Sequence, residues 1–203
     1  ITTGEPVSGA LTIANTAPLL STVNIAADGP IKVGVTLTCS ATAFDADGDT
    51  PTLSYIWTND DTGDTLGTGT TVDLDPAYAQ PDETISCTAT ATDADGGTDS
   101  GTDSVTVGNT VPVVTSVAIT PATGVTSSTT LVCSASASDD DGDTPTISYA
   151  WANATDGTSL GSGASLTLSA STSSPADSIT CTATATDSDG GTDADSAAVT
   201  VGN

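Results

Sequence analysis

The chain has 203 residues, of which 26 are acidic and a single one, Lys32, is basic, so its formal net charge at pH 7 is −25. Nucleic acids and anionic membranes require a basic surface on the protein that binds them, so this composition excludes both kinds of binding. No apolar run approaches the roughly 20 residues of a membrane-spanning helix, which argues against direct membrane insertion by this segment.

An internal repeat without gaps organises the chain. Residues 16–109 and 110–203 are identical at 45 of 94 positions, and residues 10–15 match 104–109, the end of a repeat. We therefore predict two domains, 16–109 and 110–203, preceded in 1–15 by the terminal strand of another repeat and a linker. Two interpretations of this first segment are open. It is either the remnant of a longer array, or residues 1–14 are a donor strand that completes another subunit's sheet.

Strand signals follow one another through the first repeat. Apolar residues alternate with Thr and Ser over 35–43 and 85–91, and every second residue is apolar and on one face over 53–57, 72–74 and 105–107. A period of two is typical of a strand with one buried face. Gly, Pro and Asp turn signals separate these segments, and no helical period is sustained. The pattern predicts an all-β fold of tandem antiparallel β-sandwich domains with about seven strands each.

Four cysteines fall two per repeat, and the members of each pair are 48 positions apart: Cys39 with Cys87, and Cys133 with Cys181. This even spacing predicts one structural disulfide in each domain. Disulfides persist in oxidising compartments, so we expect an extracellular protein, secreted or at the cell surface.

Aromatic residues supply the predicted core, namely Tyr55, Trp57, Tyr149 and Trp151, and Tyr78 is the aromatic residue that we expect to be exposed. A Cys, a Trp eighteen residues later and a second Cys resemble the immunoglobulin pattern, in which the Trp packs on the disulfide that joins the two sheets. The Tyr-x-Trp that follows an acidic loop resembles polycystic-kidney-disease-type and cadherin-like repeats of microbial extracellular surface proteins. These resemblances imply tandem immunoglobulin-like sandwiches.

Acidic loops follow the second strand signal and precede the last one in each repeat. Because successive strands alternate in direction, both loops are expected at the same end of the sandwich, beside linker residues Asn15, Thr16 and Asn109. Calcium takes six to eight oxygen ligands, and this carboxylate set suits it better than zinc or copper. The predicted ligands are Asp45, Asp47, Asp49, Asp93, Asp95 and Asp99 in the first repeat, and Asp139, Asp141, Asp143, Asp187, Asp189 and Asp193 in the second.

Two alternatives to a metal site stay open for these acidic residues. A generally acidic surface keeps proteins soluble at high salt, and it would need no metal. Asp and Gly also form tight turns through their own side-chain and backbone preferences. If calcium does bind, we expect it to stiffen the junction between adjacent repeats.

The residue types required for acid–base and nucleophilic catalysis are mostly missing, since the chain has no His and a single Lys. We therefore expect a non-enzymatic structural repeat of an extracellular filament, stalk or surface fibre. Its partners would be adjacent repeats of the same chain, with self-assembly through edge or donor strands. The alternative is an adhesin or accessory module that binds a glycan or protein. Asn153-Ala154-Thr155 is a single N-glycosylation sequon.

Overall fold

The computed structural model describes residues 13–203. Its contacts group into two compact units. Unit 1 contains residues 13–28, Thr36–Val72 and Thr84–Val105, and unit 2 contains Gly29–Val35, Asp73–Glu83 and Thr106–Asn203. Two loop segments from the first half of the chain therefore belong to unit 2.

Strands account for all the regular secondary structure in the described part of the chain. Those of the first repeat are β1 Leu19–Leu20, β2 Asn24–Ala27, β3 Thr36–Ser40, β4 Ala43–Phe44, β5 Thr52–Asn59, β6 Thr65–Thr68, β7 Thr71–Asp73, β8 Thr84–Thr92 and β9 Thr98–Thr106. Those of the second are β10 Val113–Thr120, β11 Thr130–Ser138, β12 Thr146–Asn153, β13 Thr158–Ser162, β14 Ser165–Thr167, β15 Ser178–Thr186 and β16 Thr192–Thr200. Residues 13–203 contain no helix long and apolar enough to cross a membrane.

Each repeat folds as two main antiparallel sheets, and in the first repeat β1 and β4 form a further two-stranded sheet. The second repeat pairs its strands in the orders β10-β11-β14 and β13-β12-β15-β16, and the first in the orders β2-β3-β7 and β6-β5-β8-β9. The predicted seven strands are present in the second repeat. The first repeat has nine, because β1 with β2 and β3 with β4 are interrupted where β10 and β11 run on. The predicted fold class, tandem immunoglobulin-like sandwiches, is confirmed.

Disulfides join the two sheets of each sandwich. Cys39 on β3 is bonded to Cys87 on β8, and Cys133 on β11 is bonded to Cys181 on β15, so both predicted pairs are confirmed. All four cysteines are buried. The bridges lie where a sandwich needs them, across the apolar layer between its sheets.

The predicted core aromatics lie beside these bridges. Trp57 and Trp151 are fully buried, Tyr55 is buried, and Tyr149 is half-buried against the core of its repeat. Trp57 pairs with Cys87 across β5 and β8, and Trp151 pairs with Cys181 in the same register.

Tyr78 is exposed as predicted, but the expectation that no other aromatic is exposed was wrong, because Phe44 is 69% exposed. The alternation explains the error. Ala41 and Ala43 continue the inward face of Leu37 and Cys39, so Phe44 falls on the outward face with Thr42.

Candidate metal centres in the acidic loops

The first loop of each cluster begins with a buried or half-buried aspartate that folds the chain back on itself. Asp45 comes directly after β4, and its Oδ1 accepts the N–H of Asp47 at 2.7 Å. Asp139 follows β11 and accepts the N–H of Asp141 at 2.8 Å. Asp-Gly loops favour such Asx turns, so the turn-forming role of these residues is part of the structure.

The second loop begins with an aspartate that holds the linker. Asp93 Oδ1 accepts the N–H groups of Asp95 and Gly97, and its Oδ2 accepts the side-chain N–H of Asn15 at 3.0 Å. The hydrogen bond from Asn15 lowers the pKa of Asp93 below the ordinary value, with the backbone N–H groups adding to the effect. These hydrogen bonds therefore favour the charged form of Asp93.

The second repeat repeats this arrangement. Asp187 accepts the side-chain N–H of Asn109 at 3.0 Å, and this bond lowers the pKa of Asp187 in the same way. Its Oδ1 accepts the N–H groups of Asp189 and Gly191. The two linker asparagines thus make the same contact in both repeats.

A backbone contact completes the docking of each linker. Thr16 N–H donates to Asp47 Oδ2, and Thr110 N–H donates to Asp141 Oδ2, both at 2.6 Å. Two carboxylates, one from each acidic loop, therefore hold every Asn-Thr segment. The prediction that both loops of a cluster lie together beside the linker is confirmed by these bonds.

Two predicted ligands act elsewhere in the structure. Asp99 on β9 accepts the N–H of Leu20 at 2.8 Å, and Asp193 on β16 accepts that of Val114 at 2.8 Å. Each carboxylate thereby ties the first strand of its repeat to the last strand.

The remaining predicted ligands lie toward the outside of the loops. Asp49, Asp95 and Asp189 are exposed, and Asp143 is half-buried and accepts the hydroxyl of Ser188. Within residues 13–203, no group of three or more acidic, Cys or His side chains is already gathered as a metal ion requires. The loops therefore bring the carboxylates near one another without closing them around one point.

In the described part of the chain, four oxygen atoms of the loops and the linker are buried without a hydrogen-bond partner: Asp45 Oδ2, Asp139 Oδ2, Asp141 Oδ1 and Thr110 Oγ1. Three of them are carboxylate oxygens, for which burial without a partner is costly. Burial raises the pKa of Asp139, and the negative charges of Asp141, Asp187 and Asp143 raise it further. In both clusters, the buried oxygens therefore lack a positive charge or a hydrogen-bond donor beside them.

Sequence reasoning missed a buried asparagine in each repeat. Asn59 and Asn153 are fully buried at the ends of β5 and β12. The Asn153 side chain donates to Asp177 Oδ2 at 2.8 Å and accepts the N–H of Thr155 at 3.0 Å. The sequon asparagine is therefore part of the core. The presence of Asn at the same position of both repeats, Asn59 and Asn153, is the sequence signal that could have revealed this structural role.

No protein-family model matches the chain, and no curated protein matches it. Among solved structures, it is similar to three N-terminal domains of the Hoc outer capsid protein of bacteriophage RB49, with 19% identity, a TM-score of 0.31, and coverage of 89% of this chain and 58% of that one. It is also similar to a tetra-tandem repeat from the extending region of a large adhesion protein, with 18% identity, a TM-score of 0.38, and coverage of 91% and 50%.

Protocadherin gamma B2 cadherin domains 3–6 are a third similar structure, with 15% identity, a TM-score of 0.33, and coverage of 92% of this chain and 51% of that one. The chain spans between half and three fifths of the length of these three structures. All three consist of several consecutive domains. Likeness at this level carries no information about function.

Proposed function

We propose that the chain is a non-enzymatic structural repeat of an extracellular filament, stalk or surface fibre. Both sandwiches are closed by a buried disulfide, and such bridges are typical of proteins exposed to an oxidising exterior. The sequence lacks His and has one Lys, so general acid–base and nucleophilic chemistry have few candidate residues. Neither the disulfides nor the core assigns a role to the acidic loops.

We propose that these loops bind calcium. The observation that carries this proposal is the set of buried carboxylate oxygens without a partner, Asp45 Oδ2 in the first cluster and Asp139 Oδ2 and Asp141 Oδ1 in the second. With a net charge of −25, the chain cannot neutralise them from its own side chains. An ion that prefers oxygen ligands and tolerates irregular geometry fits this donor set.

The carboxylates that would hold the ion differ in how many hydrogen bonds their oxygens already accept. Asp45, Asp139 and Asp141 have an unpartnered oxygen, and Asp47 accepts one linker N–H. Asp49, Asp95, Asp143 and Asp189 lie toward the outside of the loops and would have to turn inward to contribute an oxygen. Asp93 and Asp187 already accept loop and linker hydrogen bonds, so they would orient the loops as much as bind the ion. Asp99 and Asp193 each have one oxygen engaged with the first strand of the repeat, at the N–H of Leu20 or Val114. Calcium supplies charge neutralisation and rigidity here.

Thermal unfolding and calorimetric titration of the chelator-treated protein test the calcium proposal. A ligand that binds only the folded state stabilises it by about 2.7 kcal/mol when its concentration is one hundred times its Kd. We expect calcium to raise the unfolding temperature of the wild type. It should do so less in Asp45→Asn and Asp139→Asn, and fully in the control Asp28→Asn, an exposed acidic residue outside the loops.

Sodium chloride provides the decisive comparison with a generally acidic surface. Screening acts on all exposed charges, whereas a site selects the divalent ion. If concentrated sodium chloride stabilises the chelated protein as much as calcium does, and titration shows no saturable binding, the calcium proposal fails.

We also propose that bound calcium stiffens the junction between repeats, because the linker residues Asn15, Thr16, Asn109 and Thr110 are held by the same loops. Small-angle scattering with calcium and with chelator measures this directly. Calcium should lengthen and narrow the distribution of interatomic distances. An unchanged distribution would contradict the stiffening.

Assembly into a filament through edge or donor strands is the partner interaction that we propose. Strands β10, β14, β13 and β16 lie at the edges of their sheets in the second repeat. Of the proposed donor strand 1–14, residues 1–12 lie outside the described part of the chain. Electron microscopy and sedimentation at rising concentration should show helical order or self-association. A monomer at all concentrations would favour the alternative function.

That alternative is an adhesin or accessory module that binds a glycan or protein. It is favoured by one observation, the pairing of two exposed apolar side chains, Leu19 and Phe44, across β1 and β4. The second repeat has Val113 paired with Ser138 instead. Phe44→Ser makes the first repeat match the second, so loss of binding in this variant on a glycan or cell-surface array would support adhesion.

A further inference from the structure

The two acidic clusters share their sequence pattern but differ in burial. The first loop reads Asp45-Ala-Asp-Gly-Asp49 and the second Asp139-Asp-Asp-Gly-Asp143. Asp141 is 1% exposed, whereas its counterpart Asp47 is exposed. Asp47 and Asp141 accept the same linker hydrogen bond, so that bond does not account for the difference in burial.

The segment Pro76–Gln80, which belongs to unit 2, accounts for the difference. The Gln80 side chain donates to the backbone carbonyl of Asp141 at 3.3 Å and also to the carbonyl of Pro76. The Cβ of Pro76 lies 3.3 Å from the point where a Cβ on Gly142 would be, while the same point at Gly48 has no neighbour within 4 Å among residues 13–203. Pro76–Gln80 therefore covers the second loop.

This cover coincides with a larger set of unpartnered oxygens. Asp139 Oδ2, Asp141 Oδ1 and Thr110 Oγ1 are buried without a partner in the second cluster, and Asp45 Oδ2 in the first. Charges attract a cation more strongly where water is excluded. A loop held from outside also loses less conformational freedom when it binds. Both effects favour the second cluster.

We propose that Pro76–Gln80 is a positioning element of the second calcium site, and that this site binds calcium more tightly than the first. The inference rests on the calcium binding proposed above. Gln80 acts through the backbone of Asp141, so its removal weakens binding without removing a ligand. Loss of one neutral hydrogen bond corresponds to roughly a fivefold change in affinity.

Single-site variants isolate the two sites for calorimetric titration. Asp45→Asn leaves the second site, and Asp141→Asn leaves the first. In each background, Gln80→Ser and Pro76→Ala replace the covering residues by those of the second repeat, Ser174 and Ala170. Ser174→Ala, at the matched position of the second repeat, is the control. Unfolding temperatures in chelator report any purely structural effect of each change.

We expect tighter binding in Asp45→Asn than in Asp141→Asn, and a roughly fivefold weakening by Gln80→Ser in the Asp45→Asn background alone. Equal affinities, or a Gln80→Ser change that lowers the unfolding temperature in chelator and leaves the affinity unaltered, would overturn the inference and leave calcium binding intact. Absence of calcium binding in the wild type would overturn both proposals.

Discussion

The two repeats have the same core and different acidic ends. Trp57 donates its indole N–H to Gly69 O at 3.0 Å, and Trp151 donates to Gly163 O at 2.8 Å. Each Trp lies beside its disulfide in the same register. At the acidic ends, by contrast, Asp141 is buried beneath Gln80 and Asp47 is exposed.

This contrast shows which features a repeat encodes by itself. The core is built from residues within one sandwich, so identical residues produce identical bonds. An acidic loop lies at the end of a sandwich, where its burial depends on what the rest of the chain brings next to it. Two loops of nearly the same sequence therefore acquire different environments.

Removal of either core tryptophan is the strongest test of the shared core. Trp57→Ala and Trp151→Ala should each lower the free energy of unfolding of the repeat concerned by about 3–5 kcal/mol, because each deletes a fully buried ring. Chemical denaturation monitored by calorimetry and near-ultraviolet circular dichroism measures both losses. The control Ile56→Ala, at a half-exposed position that is Ala150 in the second repeat, should change the free energy by no more than about 1 kcal/mol.

The two cores would not be equivalent if the two losses differed by more than about 2 kcal/mol, which is the full width of the range expected for such a deletion. In that case the cores would depend on their different ends, and the separation of core from acidic end would be wrong.

We expect the linker to dock in the same way in both repeats, and substitution of one glycine in each repeat tests this. A Cβ at Gly97 would lie 2.4 Å from Asp93 Oδ2 and 3.0 Å from Asn15 Nδ2. A Cβ at Gly191 would lie 2.4 Å from Asp187 Oδ2 and 2.9 Å from Asn109 Nδ2, so both substitutions would disturb the contact that holds the linker. Gly97→Ala and Gly191→Ala should therefore each cost about 1–3 kcal/mol of unfolding free energy. Gly67→Ala, with ordinary contact at 4.0 Å, is the control, and denaturant titration is the measurement. A cost in one repeat alone would show that the two linkers dock differently.

The sequence was sufficient for the parts of the fold that repeat locally. The period-two alternation and the equal spacing of the two cysteine pairs arise from residues that face the core of one sandwich. The strands, the disulfides and the burial of Trp57 could therefore be predicted from the sequence. The same alternation places Phe44 on the outer face, so the expectation that Tyr78 was the one exposed aromatic did not apply the alternation to Phe44.

The acidic ends were harder to predict, because their roles depend on distant residues. Asp99 binds the N–H of Leu20, 79 residues away, and Gln80 reaches Asp141 across 61 residues. A run of Asp residues does not reveal which oxygens will be satisfied by the backbone. The clustering of the two loops with the linker could be predicted from strand direction, but the division of labour within the cluster could not.

The smallest expected effect concerns a hairpin turn that the repeats close with different groups. Asp156 Oδ1 accepts the N–H of Thr158 at 2.9 Å, and at the matched turn the hydroxyl of Thr62 accepts the N–H of Asp64 at 3.2 Å. The hydrogen bonds from the backbone and side chain of Thr158 lower the pKa of Asp156 from 3.8. A carboxylate titrates and a hydroxyl does not, so the group that accepts this N–H should respond to acid in the second repeat and not in the first.

Because the folded-state pKa is the lower one, Asp156 stabilises the second repeat above the ordinary Asp pKa, and this contribution is lost as the pH falls through the folded value. Asp156→Thr restores the chemistry of the first repeat and should flatten that part of the pH dependence. The free energy of unfolding, measured by urea titration from neutral to acidic pH, should differ between wild type and variant by less at acidic than at neutral pH. The control Thr62→Asp should introduce the same dependence in the first repeat. Parallel curves for wild type and Asp156→Thr would show that the two turns are equivalent after all.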